Sequence, residues 1–194
     1  MNEKDLDKID SDFDRLVDEF TIQTYDEIEK LQKQVDKNDM ASTTLFIELL
    51  GCYELLDEKI ELFEIPEKYL KLAYECALND INSQHDIGNA YICLAMFSNL
   101  KKFKDKALFY YNKAIEAEPT NADFYTKRGS FYLLIKKNKE AKADYKKALS
   151  LKPDDVTLQI LCKNDFSTDS KIKDILTVIS IIVLIVLSIL AEIN

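Results

Sequence analysis

KALFYYNKAIEAEPTNADFY, residues 106–125, and EAKADYKKALSLKPDD, residues 140–155, are two versions of one pattern. Ala107, Tyr111, Ala114 and Pro119 recur at one constant offset as Ala141, Tyr145, Ala148 and Pro153. Steps of four and then three positions from Ala to Tyr to Ala put all three on one face of an α-helix. The proline that follows cannot continue that helix and marks its end. A fixed period of about 34 residues is the mark of stacked helical pairs, each burying its apolar face on a neighbour.

Outward from these two second helices lie the first helices of each pair. Residues 88–121 carry Tyr91, Leu94 and Ala95 ahead of Ala107, and residues 122–155 carry Tyr125, Gly129 and Tyr132 ahead of Ala141. The small residue, Ala95 or Gly129, admits the second helix at close range, with Ala107 or Ala141 at the matching contact. Tyr111 and Tyr145 then fill the space toward the next pair. On these residues both segments resemble tetratricopeptide (TPR) repeats, with Tyr91 and Tyr125 where the family usually has tryptophan. The resemblance implies an all-α fold, a TPR-type array of helical hairpins forming an α-solenoid, with a concave groove lined by the first helix of each repeat.

Upstream the pattern loosens. Thr44 to Phe63 is rich in Leu, Ile and Phe, and Pro66 opens a second helix bearing Tyr69, Leu70, Ala73, Tyr74, Ala77 and Leu78. Tyr74 and Ala77 precede Tyr111 and Ala114 by more than one period, so a turn is inserted around Asn82–Asp86. Residues 42–87 are read as a divergent TPR-like hairpin. Within residues 1–41, Leu6, Ile9, Phe13, Leu16, Val17 and Phe20 make one helical stripe. Tyr25, Ile28, Leu31 and Val35 make another, opened by Thr24 and Glu27 at capping-box spacing. These acidic, amphipathic N-terminal helices are expected to cap the array or to act as an arm lying in its groove. After Pro153, Val156 to Cys162 suits a two-turn capping helix, and residues 156–171 lead on as cap and linker.

Composition agrees with the helical reading. The 194 residues suffice for one domain with a core, and three Gly and three Pro are too few for the turns of an all-β fold. The net charge of −9 is uneven. Residues 1–40 hold 13 acids against 6 bases, whereas residues 122–155 hold 5 acids against 9 bases. The acidic half repels nucleic acid and anionic lipid, and the basic half attracts anionic surfaces. Cys52, Cys76, Cys93 and Cys162 show no metal or redox spacing and read as reduced core residues.

From Ile175 to Ala191 the chain reads ILTVISIIVLIVLSILA, a run without a single charge. A helix apolar on every side suits lipid better than a protein core. Residues 172–191 are therefore expected to form a single transmembrane helix. Lys163, Lys171 and Lys173 precede the charge-free run, which keeps the N-terminal domain in the cytosol. This is the arrangement expected of a tail-anchored protein, in a bacterial inner membrane or a eukaryotic organelle membrane.

Catalytic chemistry is not expected. Gly51, Gly88 and Gly129 lie within helical patterns instead of a phosphate loop, and the single histidine, His85, sits in an inter-repeat loop with no nucleophile at a telling spacing. No cofactor, metal or nucleic-acid partner is expected, since no aromatic platform accompanies the lysines. A homo-oligomer is possible but not indicated. The resemblance implies that Asn89, Ile92, Cys93, Met96, Asn99, Asp123, Thr126, Lys127 and Ser130 line the groove and hold a protein or peptide. Ile92 and Met96 stand where TPR domains that clamp a chaperone's C-terminal carboxylate want Lys and Asn, so an apolar or mixed helix suits the groove better. Lys142, Lys146 and Lys147 are read as a lipid-facing basic patch on the outer helix. The expectation is a membrane-anchored TPR adaptor that recruits a cytosolic protein. The alternatives are an organelle-fission-type receptor, and a membrane-surface structural protein whose basic repeat lies on anionic lipid.

Overall fold

The computed structural model describes residues 3–37, 41–57 and 66–163, with side chains of the first helix described chiefly from residue 21 onward. Every described element is an α-helix: α1 (Glu3–Lys37), α2 (Thr43–Asp57), α3 (Glu67–Ser83), α4 (Ile87–Leu100), α5 (Lys104–Ala117), α6 (Ala122–Leu134), α7 (Asn138–Leu151) and α8 (Val156–Lys163). This all-helical build agrees with a TPR-type array. The chain divides into two compact units within α5, the first ending at Ala107 and the second beginning at Leu108. Among the described residues no helix is long and apolar enough to cross a membrane. The expected anchor at 172–191, the linker before it and the segment 58–65 lie outside the described residues.

In the first unit α1 packs on α2, and α4 packs against both α2 and α3. The N-terminal stripes expected as two helices are one: α1 runs unbroken through Thr24, which is buried within it. No glycine or proline interrupts residues 3–37, so nothing stops the first stripe from propagating into the second. Thr24 lies on the same face as Ile28, Leu31 and Val35, all buried. It is therefore a packing residue and not a cap. The side chains of Leu6 to Phe20 named in the first stripe are outside the described set. Near the end of α1, Gln32 Nε2 donates to the Tyr53 hydroxyl at 2.8 Å, and the Tyr69 hydroxyl donates to Asp36 at 3.0 Å.

Helix α3 has 17 residues where α5 and α7 have 14 each. That excess accounts for the lengthened offset between Tyr74 and Tyr111. It sits at the C-terminal end of α3, which closes with Gln84 in the left-handed region and the His85 N–H returning to the Asp80 carbonyl at 2.8 Å. His85 itself is exposed in this loop.

The turns inside the two repeats are copies of each other. Lys102 and Lys136, one period apart, are both left-handed, at φ 64° and 62°. The N–H after each returns to a carbonyl of the preceding helix: Phe103 to Ser98 at 2.8 Å, Lys137 to Tyr132 at 2.8 Å. The same backbone solution recurs without a glycine in either place.

In the second unit α6 and α7 form the tightest pair. Ala122, Tyr125, Ala141, Tyr145, Ala148, Leu158 and Leu161 make its core, so α8 closes the α6–α7 pair. A Cβ placed on Gly129 would come within 2.8 Å of the Tyr145 ring. Glycine is needed there for close approach, as the sequence indicates. Tyr145 differs from expectation in one respect: its ring lies on its own repeat's Gly129 as well as joining Leu158 and Leu161 of α8.

Candidate protein-binding face

Helix α6 starts at Asn121, whose side-chain oxygen accepts the Asp123 N–H at 3.1 Å and so satisfies a donor that the first turn leaves open. From there the helical period sorts its side chains. Tyr125, Gly129 and Phe131 go inward, while Asp123, Ser130 and Leu134 are exposed, flanked by half-buried Thr126 and Lys127. Asp123, Thr126, Lys127 and Ser130 therefore share the open side of one helix. Local contacts hold Asp123, Thr126 and Ser130. Lys152 donates to Asp123 at 2.8 Å, and the Thr126 hydroxyl to the Ala122 carbonyl at 3.1 Å. The Ser130 and Tyr145 hydroxyls lie 3.1 Å apart. Burial pushes the Tyr145 phenol up to about 12, against the opposing Ser130 hydrogen bond.

The residues assigned to the first repeat's face are placed differently. Ile92, Cys93 and Met96 are buried, at 0, 0 and 3 % exposure. Met96 reaches α2 at Gly51, and the Cys93 thiol points to the Ala73 carbonyl of α3 at 3.6 Å. Their side chains are core of the first unit and are not offered to a ligand. The physical reason is that α4 is predominantly apolar and both α2 and α3 pack against it. Asn89 and Asn99 are half-buried and engaged, Asn89 with Asp86 at 3.1 Å and Asn99 with Glu54 of α2 at 2.8 Å.

The basic patch divides around α7. Lys142 and Lys146 lie within electrostatic reach of Cys162 on α8, where they oppose the rise that burial gives its thiol. Lys147 leans to the other side, with its ammonium 5.9 Å from the Tyr125 ring centre on α6. All four cysteines are unpaired thiols. Burial pushes Cys52 up to about 11 and raises Cys76 and Cys93 too, which disfavours their thiolates.

Three features are not evident in the sequence pattern. The first is Arg128, which in sequence is one more base of the Lys-rich repeat. Its Nε and Nη2 donate to the two oxygens of Asp144 at 2.7 Å each, and Nη1 donates to Asn112 Oδ1 at 2.7 Å. Asp144 is buried, and its carboxylate raises the Arg128 pKa. Three helices, α5, α6 and α7, are tied by one guanidinium. A signal exists: one period before Arg128 stands Leu94, so the repeat register marks an inward position. The second feature is Leu134, an exposed apolar residue on the same side of α6 as Ser130. The third is the exposed pair Val156 and Ile160 on α8.

Comparison with known proteins bears on the second unit. A family model described as Tetratricopeptide repeat matches residues 110–143, one full period that begins in α5 and ends in α7. No curated protein matches the chain. The match supports the TPR reading and, with it, a helical-repeat scaffold of the kind that commonly binds protein partners.

Proposed function

We propose that the protein is a membrane-tethered adaptor that holds a protein segment against the open side of α6. The observation that carries this reading is the open row Asp123, Lys127, Ser130 and Leu134, inside the stretch that matches the TPR model. A mixed row of acid, base, hydroxyl and leucine suits an amphipathic helix or extended segment better than a carboxylate alone. The polar side chains fix its register, and Leu134 supplies the apolar contact. No chemical step is part of this function. The charge-free run Ile175–Ala191 supports the tether, with Lys171 and Lys173 on its cytosolic side.

A photocrosslinking residue installed in the full chain tests this directly. At Lys127 or Ser130 it should capture a protein partner in cells, and at Ile92 or Met96 it should not. Removing residues 172–194 should move the same captures from the membrane to the soluble fraction. Capture from Ile92 but not from Ser130 would place the binding face elsewhere, and a truncated chain that stays with membranes would remove the tether.

A further inference from the structure

Helix α8 is short and two-sided. Thr157, Leu158 and Leu161 are buried, while Val156 and Ile160, one turn apart, are 59 % and 41 % exposed. Lys163, at the helix end, is exposed and falls on the same side as that pair. On the adjoining flank Cys162 packs on the core shared with α7, within electrostatic reach of Lys142 and Lys146. Two acids precede Val156: Asp154 is exposed, and the Asp155 carboxylate is occupied with the Leu158 N–H at 3.0 Å. Two exposed aliphatic side chains with Lys163 on their side, and Lys142 and Lys146 toward the neighbouring flank, are thus the last described feature before the charge-free run. Only the short stretch 164–174 separates Lys163 from Ile175. Fully extended it spans at most about 40 Å, so α8 stays close to wherever that run is held.

We propose that this edge of α8, Val156 and Ile160 framed by Lys142, Lys146 and Lys163, docks on an anionic lipid bilayer, with the two aliphatic side chains entering the headgroup layer. The inference rests on the membrane-tether reading and adds to it a defined contact surface. Charge complementarity selects the occupant, because lysines around exposed aliphatics match an anionic headgroup layer over hydrocarbon. It also excludes Lys147 from the contact, since that side chain lies over Tyr125 on the other side of α7. Docking through α8 holds the second unit at the surface by a short helix, so the tether is a two-point attachment.

The chain contains no tryptophan, so a single introduced one reports its own surroundings. The full chain carrying Ile160→Trp is mixed with phosphatidylcholine vesicles, with or without phosphatidylserine, that contain brominated lipid. Ser150→Trp, on an exposed position of α7, serves as the reference. Flotation of the chain with the vesicles reads the tether separately from the docking. The expected result is flotation in both lipids, with quenching of the residue-160 tryptophan several-fold above the reference in phosphatidylserine vesicles only. Lys146→Glu with Lys163→Glu should bring that quenching down to the level of the reference and leave flotation unchanged. Flotation without quenching at residue 160 overturns the docking and leaves the tether standing. Failure to float overturns both. A residue-160 tryptophan already shielded before vesicles are added overturns the bilayer as occupant, in favour of the chain's own apolar run or, where shielding grows with concentration, a second copy.

Discussion

Every residue of helix α4 is buried or half-buried, whereas α6, one period later in the same pattern, keeps a side open. At the four corresponding positions α4 has Asn89, Ile92, Cys93 and Met96, and α6 has Asp123, Thr126, Lys127 and Ser130. Three of the first four are core, and the second four are exposed or half-buried. The inward sides differ as well. Where α4 has Leu94, at 1 % exposure, α6 has Arg128, and where α5 has half-buried Tyr110, α7 has buried Asp144. One repeat is closed by apolar packing, and the next is latched by an ion pair and left open on one side. Periodicity fixes which way each position points, and side-chain chemistry decides whether that side closes.

The largest effect is expected at the latch. Removing one member of a buried pair leaves the other charge uncompensated, which costs about 3–5 kcal/mol. Asp144→Ala should therefore lower the urea midpoint of the second unit steeply. Copying the other repeat, with Arg128→Leu and Asp144→Tyr together, should recover most of that loss, since apolar replacements of buried pairs are often neutral. A double variant no better than Asp144→Ala would mean that the two repeats are not interchangeable at their centres.

Next come Ile92 and Thr126, which share one repeat position, the first buried and the second on the open side. Ile92→Ala should cost about 2–5 kcal/mol, as for other buried isoleucines. Thr126→Ala, its counterpart one period on, should stay within about 0.5 kcal/mol. Only the latter stretch should respond to a partner's presence, through protection of α6 amides from hydrogen exchange. Equal costs for the two substitutions would erase the distinction between the closed and the open helix.

How much of this is legible in the sequence follows from range. The repeat period, the close approach at Gly129 and the excess turn of α3 depend on residues near one another in sequence, and they can be read there. The burial of Ile92, Cys93 and Met96 depends on α2 and α3, whose placement over α4 no local pattern specifies. The residues are apolar, and the family resemblance outweighs that plain signal. Arg128 is hidden because a charge ordinarily means exposure, although its register points inward. The unbroken α1 is hidden because Thr24 and Glu27 satisfy a capping pattern without being at a helix start.

Alkaline pH separates the units more gently. Tyr53 in the first and Tyr145 in the second are both pushed up to about 12, chiefly by burial, from an ordinary value of 10.0. Below pH 10 each phenol is neutral whether folded or unfolded. Between 10 and 12 the unfolded chain loses these protons while the folded chain keeps them, so stability falls as pH rises. Each residue contributes a slope of up to about 1.4 kcal/mol per pH unit. Tyr145→Phe should flatten the alkaline loss in the second unit by about 1.4 kcal/mol at pH 11 and leave the first unit's loss unchanged. An unaltered slope in thermal melts from pH 9 to 11 would show that the Tyr145 ring is not sealed on Gly129.

The smallest effect tests where the repeats are alike. Lys102 and Lys136 occupy the left-handed region at nearly equal φ, with equivalent hydrogen bonds closing each turn. A non-glycine residue there carries a strain of about 1–2 kcal/mol from its Cβ against the following carbonyl. Glycine removes the clash but gives the unfolded chain more freedom, which takes back about 0.5–1 kcal/mol. Lys102→Gly and Lys136→Gly should therefore each stabilise by about 0.5 kcal/mol, raising the melting temperature of the whole chain slightly. The two gains should be similar, because the backbone geometry is the same whether the helices it joins are closed by packing or open on one side. A gain at Lys136 with a clear loss at Lys102 would mean that the burial of α4 reaches into its turn, and that the closed and open repeats differ in backbone as well as in side chains.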